Sequence, residues 1–181
     1  MAQNAEEIGQ YPFKADDELL LDANVWFFLY GPHSPNDSRV AVYSRALANI
    51  LAAKSRIYID VLIISEFVNR YARLKHSLLI RRSGVPKDFK SFRNTPEFKS
   101  VAVDIAADTR RVLANCTCID SGFATLDLNS LVNDYSGGDS DFNDLILVDL
   151  CKAKALKFVT HDGDFRDKGV TILTANKKLL A

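Results

Sequence analysis

Little in this chain of 181 residues announces a chemistry by abundance. Its three cysteines, Cys116, Cys118 and Cys151, include no C-x-x-C pair, and the three histidines, His33, His76 and His161, lie far from them in sequence. That spacing excludes the ordinary structural zinc patterns. An odd cysteine number, with Cys116 and Cys118 inside an apolar strand-like run, reads as buried thiols in a reducing cytosol and gives no sign of a catalytic thiol. Lys plus Arg and Asp plus Glu both number 23, so the formal net charge is +0 and global charge neither advertises nor excludes a polyanionic partner. The opening Met1-Ala2-Gln3-Asn4-Ala5-Glu6-Glu7 lacks the basic and apolar regions of an export signal, and no stretch reaches the length of a membrane span. A cytoplasmic location without a membrane partner is therefore expected. Internal repeats and low-complexity segments are also missing.

What is present suffices for one compact domain with a sizeable core, since 48% of the residues are hydrophobic. Residues 1–17 carry no clear periodicity and include Pro12, so they read as an extended arm. From Leu19 onward, strand and helix patterns alternate. The run Leu19-Leu20-Leu21 ends at Asp22, a helical turn follows to Tyr30, and Gly31-Pro32-His33-Ser34-Pro35 breaks the chain. A helix capped by Asp37 or Ser38 runs to about Ala53 with Val40, Tyr43, Leu47, Ile50 and Leu51 on one face. The strand Arg56 to Asp60 completes a βαβ beginning. The next helix turns Ile64, Phe67, Val68 and Tyr71 inward, with Glu66 near its start. Ser83 to Pro96 reads as a surface loop or lid. A helix over 97–115, a strand over 116–120, a short helix near 126–132, a loop at 135–138 and a helix beginning at an Asp139 cap follow. Strands ending at Thr160 and near Leu173 close the pattern. The expectation is an α/β domain over 18–181, with a mainly parallel sheet flanked by helices and a longer helical and loop region at about 77–100.

Within that pattern, carboxylates stand where strands end: Asp22, Glu66, the pair Asp141 and Asp144, and Asp162 with Asp164. The carboxyl edge of a parallel sheet is where open α/β folds bind ligands. Gathered carboxylates raise one another's pKa, so such a cluster is costly unless a divalent cation occupies it. Asp141 and Asp144, at i and i+3, share a helix face. Asp139-Ser140-Asp141-Phe142-Asn143-Asp144 also opens like a calcium loop, but the positions that need Gly and a bidentate Glu are Asp144 and Leu150. A phosphoryl-enzyme of the haloacid-dehalogenase kind is disfavoured because its second Asp would fall on Asn24. Charge is unevenly spread as well. Between Arg70 and Arg111 eleven basic and four acidic residues leave about seven positive charges, balanced elsewhere in the chain.

Four segments in order, Leu20-Leu21-Asp22-Ala23-Asn24-Val25, Ile64-Ser65-Glu66-Phe67, Asn143-Asp144-Leu145-Ile146-Leu147 and Val159-Thr160-His161-Asp162-Gly163-Asp164-Phe165, resemble the motifs of PIN-domain ribonucleases, including VapBC-class toxins. The resemblance spans about residues 18–175. It implies an acidic quartet at Asp22, Glu66, Asp144 and Asp162 that binds metal and carries catalysis, with Asp141 and Asp164 auxiliary. Asn24 and Thr160 fall where such proteins have polar residues that orient a carboxylate or the scissile phosphate. His161 reads as a surface residue.

The implied activity is hydrolysis of RNA phosphodiester bonds with Mg²⁺ or Mn²⁺. Arg70, Arg73, Arg81 and Arg82 are the candidates for holding the RNA backbone. The resemblance also implies a toxin of a toxin–antitoxin pair, with an antitoxin protein as partner and a homodimer as the oligomer. The competing reading is a catalytically degenerate PIN-like module that binds RNA or protein.

Overall fold

In a computed structural model of the protein, residues 4–32 and 37–181 are described, apart from the side chains of Arg82 and Ser83. The start of the arm, Met1 to Gln3, and the His33 to Pro35 portion of the expected break lie outside the described residues.

The strands are β1 (Ala5–Glu7), β2 (Glu18–Leu21), β3 (Arg56–Ile59), β4 (Thr117–Cys118), β5 (Lys157–Val159) and β6 (Ile172–Thr174). The helices are α1 (Ala23–Tyr30), α2 (Ser38–Ala53), α3 (Val61–Ser83), α4 (Phe89–Phe92), α5 (Pro96–Leu113), α6 (Leu128–Ser136), α7 (Phe142–Lys154) and α8 (Lys177–Leu180). All pairings among the described strands are parallel, in the order β1-β6-β5-β2-β3-β4. The strand order reverses between β2 and β5, which makes the carboxyl ends of those two strands the switch-point crevice of the sheet. Residues 19–21 read as a continuous apolar run because β2 is central; Leu19, Leu20 and Leu21 are all buried.

The extended arm belongs to this same sheet: Ala5–Glu7 pair with Ile172–Thr174 as an edge strand, and Ile8 is buried. It is tied down further where Lys157 donates to the buried Asp17, which also accepts from the Tyr11 hydroxyl.

Helix α1 is buried nearly all round, from Ala23 through Phe28, as a helix in the interior of the domain must be. It ends at Gly31, whose N–H donates to the Phe27 carbonyl. A Cβ at Gly31 would stand 2.6 Å from that carbonyl oxygen and 2.7 Å from the Phe27 ring, so only glycine fits the approach. On α3, Ile63, Phe67 and Tyr71 are buried along one stripe, with Ile63 taking the innermost place expected of Ile64, and His76 is buried further along the helix on another face.

Three expectations are corrected. The segment 83–96 is not a simple surface loop: α4 brings Phe92 into the core against His76, with ring centroids 4.6 Å apart, and Val85 is buried. The strand at 116–120 shrinks to the edge strand Thr117–Cys118, and its register leaves Cys118 exposed and Cys116 half-buried, so of the three thiols Cys151 alone is fully buried. The cap of α7 is Asp141, which accepts from the Asn143 N–H at 2.9 Å, and not Asp139. Because α6 extends to Ser136, the connecting loop is pushed two residues later than expected, and the next helix starts after Asp141. No helix of the described residues is long and apolar enough to cross a membrane.

Gly31→Ala is expected to destabilise the fold by about 1–3 kcal/mol through overpacking against Phe27, read as a lower urea midpoint without a change in slope.

Candidate active site

Each strand end at the switch point delivers one acidic or polar side chain. Asp22 follows β2 and occupies the N-cap position of α1, yet its carboxylate does not cap the helix. It turns instead toward β5. Its Oδ2 accepts from the Thr160 hydroxyl at 2.6 Å and from Asn24 Nδ2 at 2.5 Å. Thr160 Oγ1 also accepts from Asn24 Nδ2 at 3.2 Å and from the Asp162 N–H at 3.0 Å, while Asn24 Oδ1 accepts from the His161 N–H at 3.1 Å. Asp22, Asn24 and Thr160 are all buried. Thr160 thus holds the Asp22 carboxylate with its hydroxyl hydrogen and the start of the Asp162 turn with its lone pairs.

Burial pushes the Asp22 carboxyl up to about 7, and the negative charges of Glu66 and Asp162 add to the shift while the Thr160 hydrogen bond opposes it. Asp144, in the first turn of α7, is likewise pushed up to about 7 by burial, then by the charges of Asp22, Asp141, Asp162 and Glu66. Glu66 on α3 is raised by desolvation, with Arg70 pulling the other way and Asp141 and Asp162 adding to the rise. Asp162 caps the short turn Gly163–Phe165 by accepting from the Asp164 N–H at 3.1 Å, and its charge reaches the other three carboxylates. The fold therefore brings the whole quartet into one electrostatic cluster, with Asp141 at its edge. Asp164 is exposed and lines a separate cavity of about 640 Å³ with Asp162, Arg166 and Lys178.

Among the described residues no three Asp, Glu, His or Cys side chains form a ready direct chelate. The donor set nevertheless fits a hard divalent cation. It is all oxygen, it carries uncompensated charge in a partly desolvated crevice, and Mg²⁺ binds through one or two carboxylates while keeping several waters.

Beside the quartet, α3 and α1 wall an open cavity of about 770 Å³ lined by Glu66, Asn69, Arg70, Arg73 and Asn143 among others. Arg70 lies 4.8 Å over the Phe27 ring and Arg73 lies 5.0 Å over Phe89, so both guanidinium groups are held in place. Arg81 is exposed but roughly 22 Å along α3 from Glu66, at 1.5 Å per residue. The Arg82 side chain lies outside the described residues.

Three side chains, Tyr43, His161 and Asp60, support the site in ways that the sequence pattern does not show. Tyr43 sits on the apolar face of α2 and reads as core, yet its hydroxyl accepts from the Ala175 N–H at 3.2 Å, lies 3.3 Å from the Thr160 carbonyl and 2.9 Å from His161 Nδ1. It ties the ends of β5 and β6 together. His161 is half-buried, edge-on to both Phe28 and Tyr43, and burial together with Arg39 lowers its pKa. Asp60, at the end of β3, caps α3 by accepting from the Leu62 N–H at 2.8 Å, which fixes the helix that carries Glu66.

The PIN domain family model matches residues 19–170. No curated protein sequence matches the chain. Among solved structures, one described as VapBC2 from Rickettsia felis bound to a DNA fragment from their promoter superposes with a TM-score of 0.49 at 14% identity, covering 87% of this chain and 98% of that chain.

The raised carboxyls set a pH dependence for metal-free protein. In the unfolded chain Asp22 and Asp144 titrate near 3.8, whereas folded they titrate at about 7, so between these values the native state holds the extra protons. Stability must then fall as pH rises from about 4 to about 7 and level off above. Asp22→Asn and Asp144→Asn are each expected to stabilise the metal-free protein at pH 8 by on the order of 1–2 kcal/mol and to flatten this slope. Melting curves at pH 5 and pH 8 in EDTA check it; variants less stable than wild type at pH 8 would refute the charge-repulsion account.

Proposed function

This chain belongs to the PIN domain family, and from that premise we propose that it is a divalent-metal-dependent endoribonuclease. PIN domains are in general nucleases that use divalent metal ions. The observation that carries the proposal is the pair Asp22 and Asp144, both pushed up to about 7 at the switch point by burial and shared negative charge. Such a pair is balanced by a cation.

Asp22, Asp144 and Asp162 would hold Mg²⁺ or Mn²⁺, with Glu66 toward a second position. The cation, when bound, supplies a lowered pKa for bound water and neutralises charge developing on the phosphate and the leaving oxygen. The protein's own groups do the rest. Thr160 and Asn24 keep Asp22 in one rotamer, so the carboxylate is set before substrate arrives. Arg70 and Arg73, braced on aromatic rings, hold phosphates of a strand lying along α3. Asn69 and Asn143, in the same cavity, offer amides to base edges or sugar hydroxyls.

The choice of RNA over DNA, and the role of toxin held in check by an antitoxin protein, are supported by the likeness of the four motifs to VapBC-class ribonucleases. A neighbouring reading frame that encodes a small partner would support the toxin role. The second reading, a PIN-like module that binds without cutting, draws on the lack of a preassembled chelate among the described residues.

Cleavage of mixed structured and single-stranded RNA in Mg²⁺, Mn²⁺ or EDTA separates the two readings. Wild type is expected to cut only with metal, and Asp22→Asn or Asp144→Asn to lose about 100-fold or more in rate. No cutting by folded protein, together with no heat of Mg²⁺ or Mn²⁺ binding by calorimetry, would leave the binding module. For substrate holding, Arg70→Ala with Arg73→Ala is expected to lower the slope of log affinity against log salt by about 1.4 for single-stranded RNA, with Asp22→Asn as the non-cutting background. An unchanged slope would remove both arginines from the phosphate path.

A further inference from the structure

The quartet has a second open side, away from α3. Sheet order fixes it: β3, which leads into α3, lies on one side of β2, and β5 and β6 lie on the other. Glu66 therefore borders the quartet on the α3 side, and Asp162, which follows β5, borders it on the far side. Each also lines a cavity. Glu66 shares one with Arg70 and Arg73, and Asp162 shares the cavity of about 640 Å³ with Gly163, Asp164, Arg166, Asn176 and Lys178. Beside Asp162 the surface is open, since a Cβ on Gly163 would meet nothing within 4 Å.

This far cavity presents two cations to solvent. Arg166 Nη2 donates to the Lys178 carbonyl and, at 3.3 Å, to that of Ala181, which turns the guanidinium onto α8 and leaves its other N–H groups for a ligand. Among the described residues neither Arg166 nor Lys178 pairs with an Asp or Glu side chain. Asn176 ties them to the quartet: its Oδ1 accepts from the Lys178 N–H at 3.0 Å, and its Nδ2 donates at 2.8 Å to the carbonyl of His161, the residue before Asp162. A held arginine fork with a free ammonium beside it suits a phosphodiester. Once a cation offsets Asp162, Asp164 alone opposes these two positive charges. A base has nothing to stack on here, because no aromatic side chain lines the cavity. That favours the backbone of a strand over its bases.

We propose that Arg166 and Lys178 form a second phosphate subsite, which takes the backbone of the RNA strand on the side of the quartet opposite Arg70 and Arg73. The assignment rests on the ribonuclease reading, which supplies the strand. A strand gripped on both sides of the quartet lies across it and cannot swing about a single anchor, so the subsite positions the bond to be cut.

The test is the salt dependence of binding of a single-stranded RNA of about 12 nucleotides, followed by fluorescence polarisation on the full chain with Asp22→Asn as the non-cutting background. Arg166→Gln with Lys178→Gln removes both charges, and Gln at position 166 keeps a donor for the α8 carbonyls. Lys178→Gln alone changes one exposed side chain and guards against an effect of folding. The slope of log affinity against log salt is expected to fall by about 1.4 in the double variant and about 0.7 in the single one, and the loss from Arg70→Ala with Arg73→Ala adds to it. Lys177→Gln, at an exposed lysine of α8 outside the cavity, is expected to leave the slope unchanged. An unchanged slope in the double variant, or an equal loss from Lys177→Gln, would overturn the subsite. The nuclease reading fails separately. Wild type that cuts RNA while these slopes stay unchanged keeps the nuclease and loses the subsite, whereas wild type that never cuts while the slopes fall as expected keeps the subsite as part of a binding module.

Discussion

Like charges held together at the reversal of strand order are the constraint that the rest of the molecule serves. Asp22 is buried at the end of the central strand, and Glu66, Asp144 and Asp162 all bear on it or on one another. Left to solvation alone, these side chains would rotate away from each other into water. What prevents it is a hydrogen-bonded frame made by neutral groups: Thr160 and Asn24 on Asp22, the backbone of Asp162 on Thr160, and Tyr43 behind the Thr160 carbonyl. Neutral donors stabilise a carboxylate geometrically without cancelling its charge. A lysine in the place of Asn24 would pair with Asp22 and remove the site's demand for a cation.

That frame in turn depends on packing that admits little adjustment. Asp22 leads into α1, a helix buried almost from end to end, and Phe28 of that helix stacks on Tyr43 at 5.6 Å while Phe27 meets Phe67 and Tyr71 of α3 edge-on. The same two helices carry Asn24 and Glu66. Core packing and site geometry are therefore one set of contacts, and Gly31, where α1 must end against its own last turn, belongs to it. Arg70 joins surface to core by lying on the outer face of Phe27.

Legibility from sequence divides along this line. The acidic residues could be found because strand ends are marked by a switch from an apolar run to a charge, and because the helix following each strand keeps its period. Asp22 and Asp162 stand out in that way, whereas the choice of Glu66 and Asp144, which lie inside α3 and α7, rests on the resemblance to the PIN-domain motifs. Tyr43 could not be found that way: a tyrosine at i, i+4 and i+7 spacing with Leu47 and Ile50 is a core residue by pattern, and only the fold places its hydroxyl behind Thr160. The α7 cap moved from Asp139 to Asp141 because both are good caps, and the choice depends on how far α6 extends. Segment 83–96 misled because its glycine, prolines and charges outnumber the two residues, Val85 and Phe92, that bury. Cys118 misled because a two-residue edge strand has one open side.

The unequal charge distribution completes the account. A neutral chain that concentrates negative charge at the switch point must carry positive charge elsewhere, and it does so on α3, α4 and α5. The field of those helices lowers the repulsion a polyanion meets on approaching the carboxylates, and Arg70 acts at closest range because it also pulls on Glu66. Each cation placed nearer would help binding and harm the metal site, since a charge pairing directly with Asp22 or Asp144 would take the cation's place. The arrangement found resolves that conflict by distance. The arginines are braced on rings one or more helical turns beyond Glu66, close enough to steer a phosphate and too far to neutralise the buried pair.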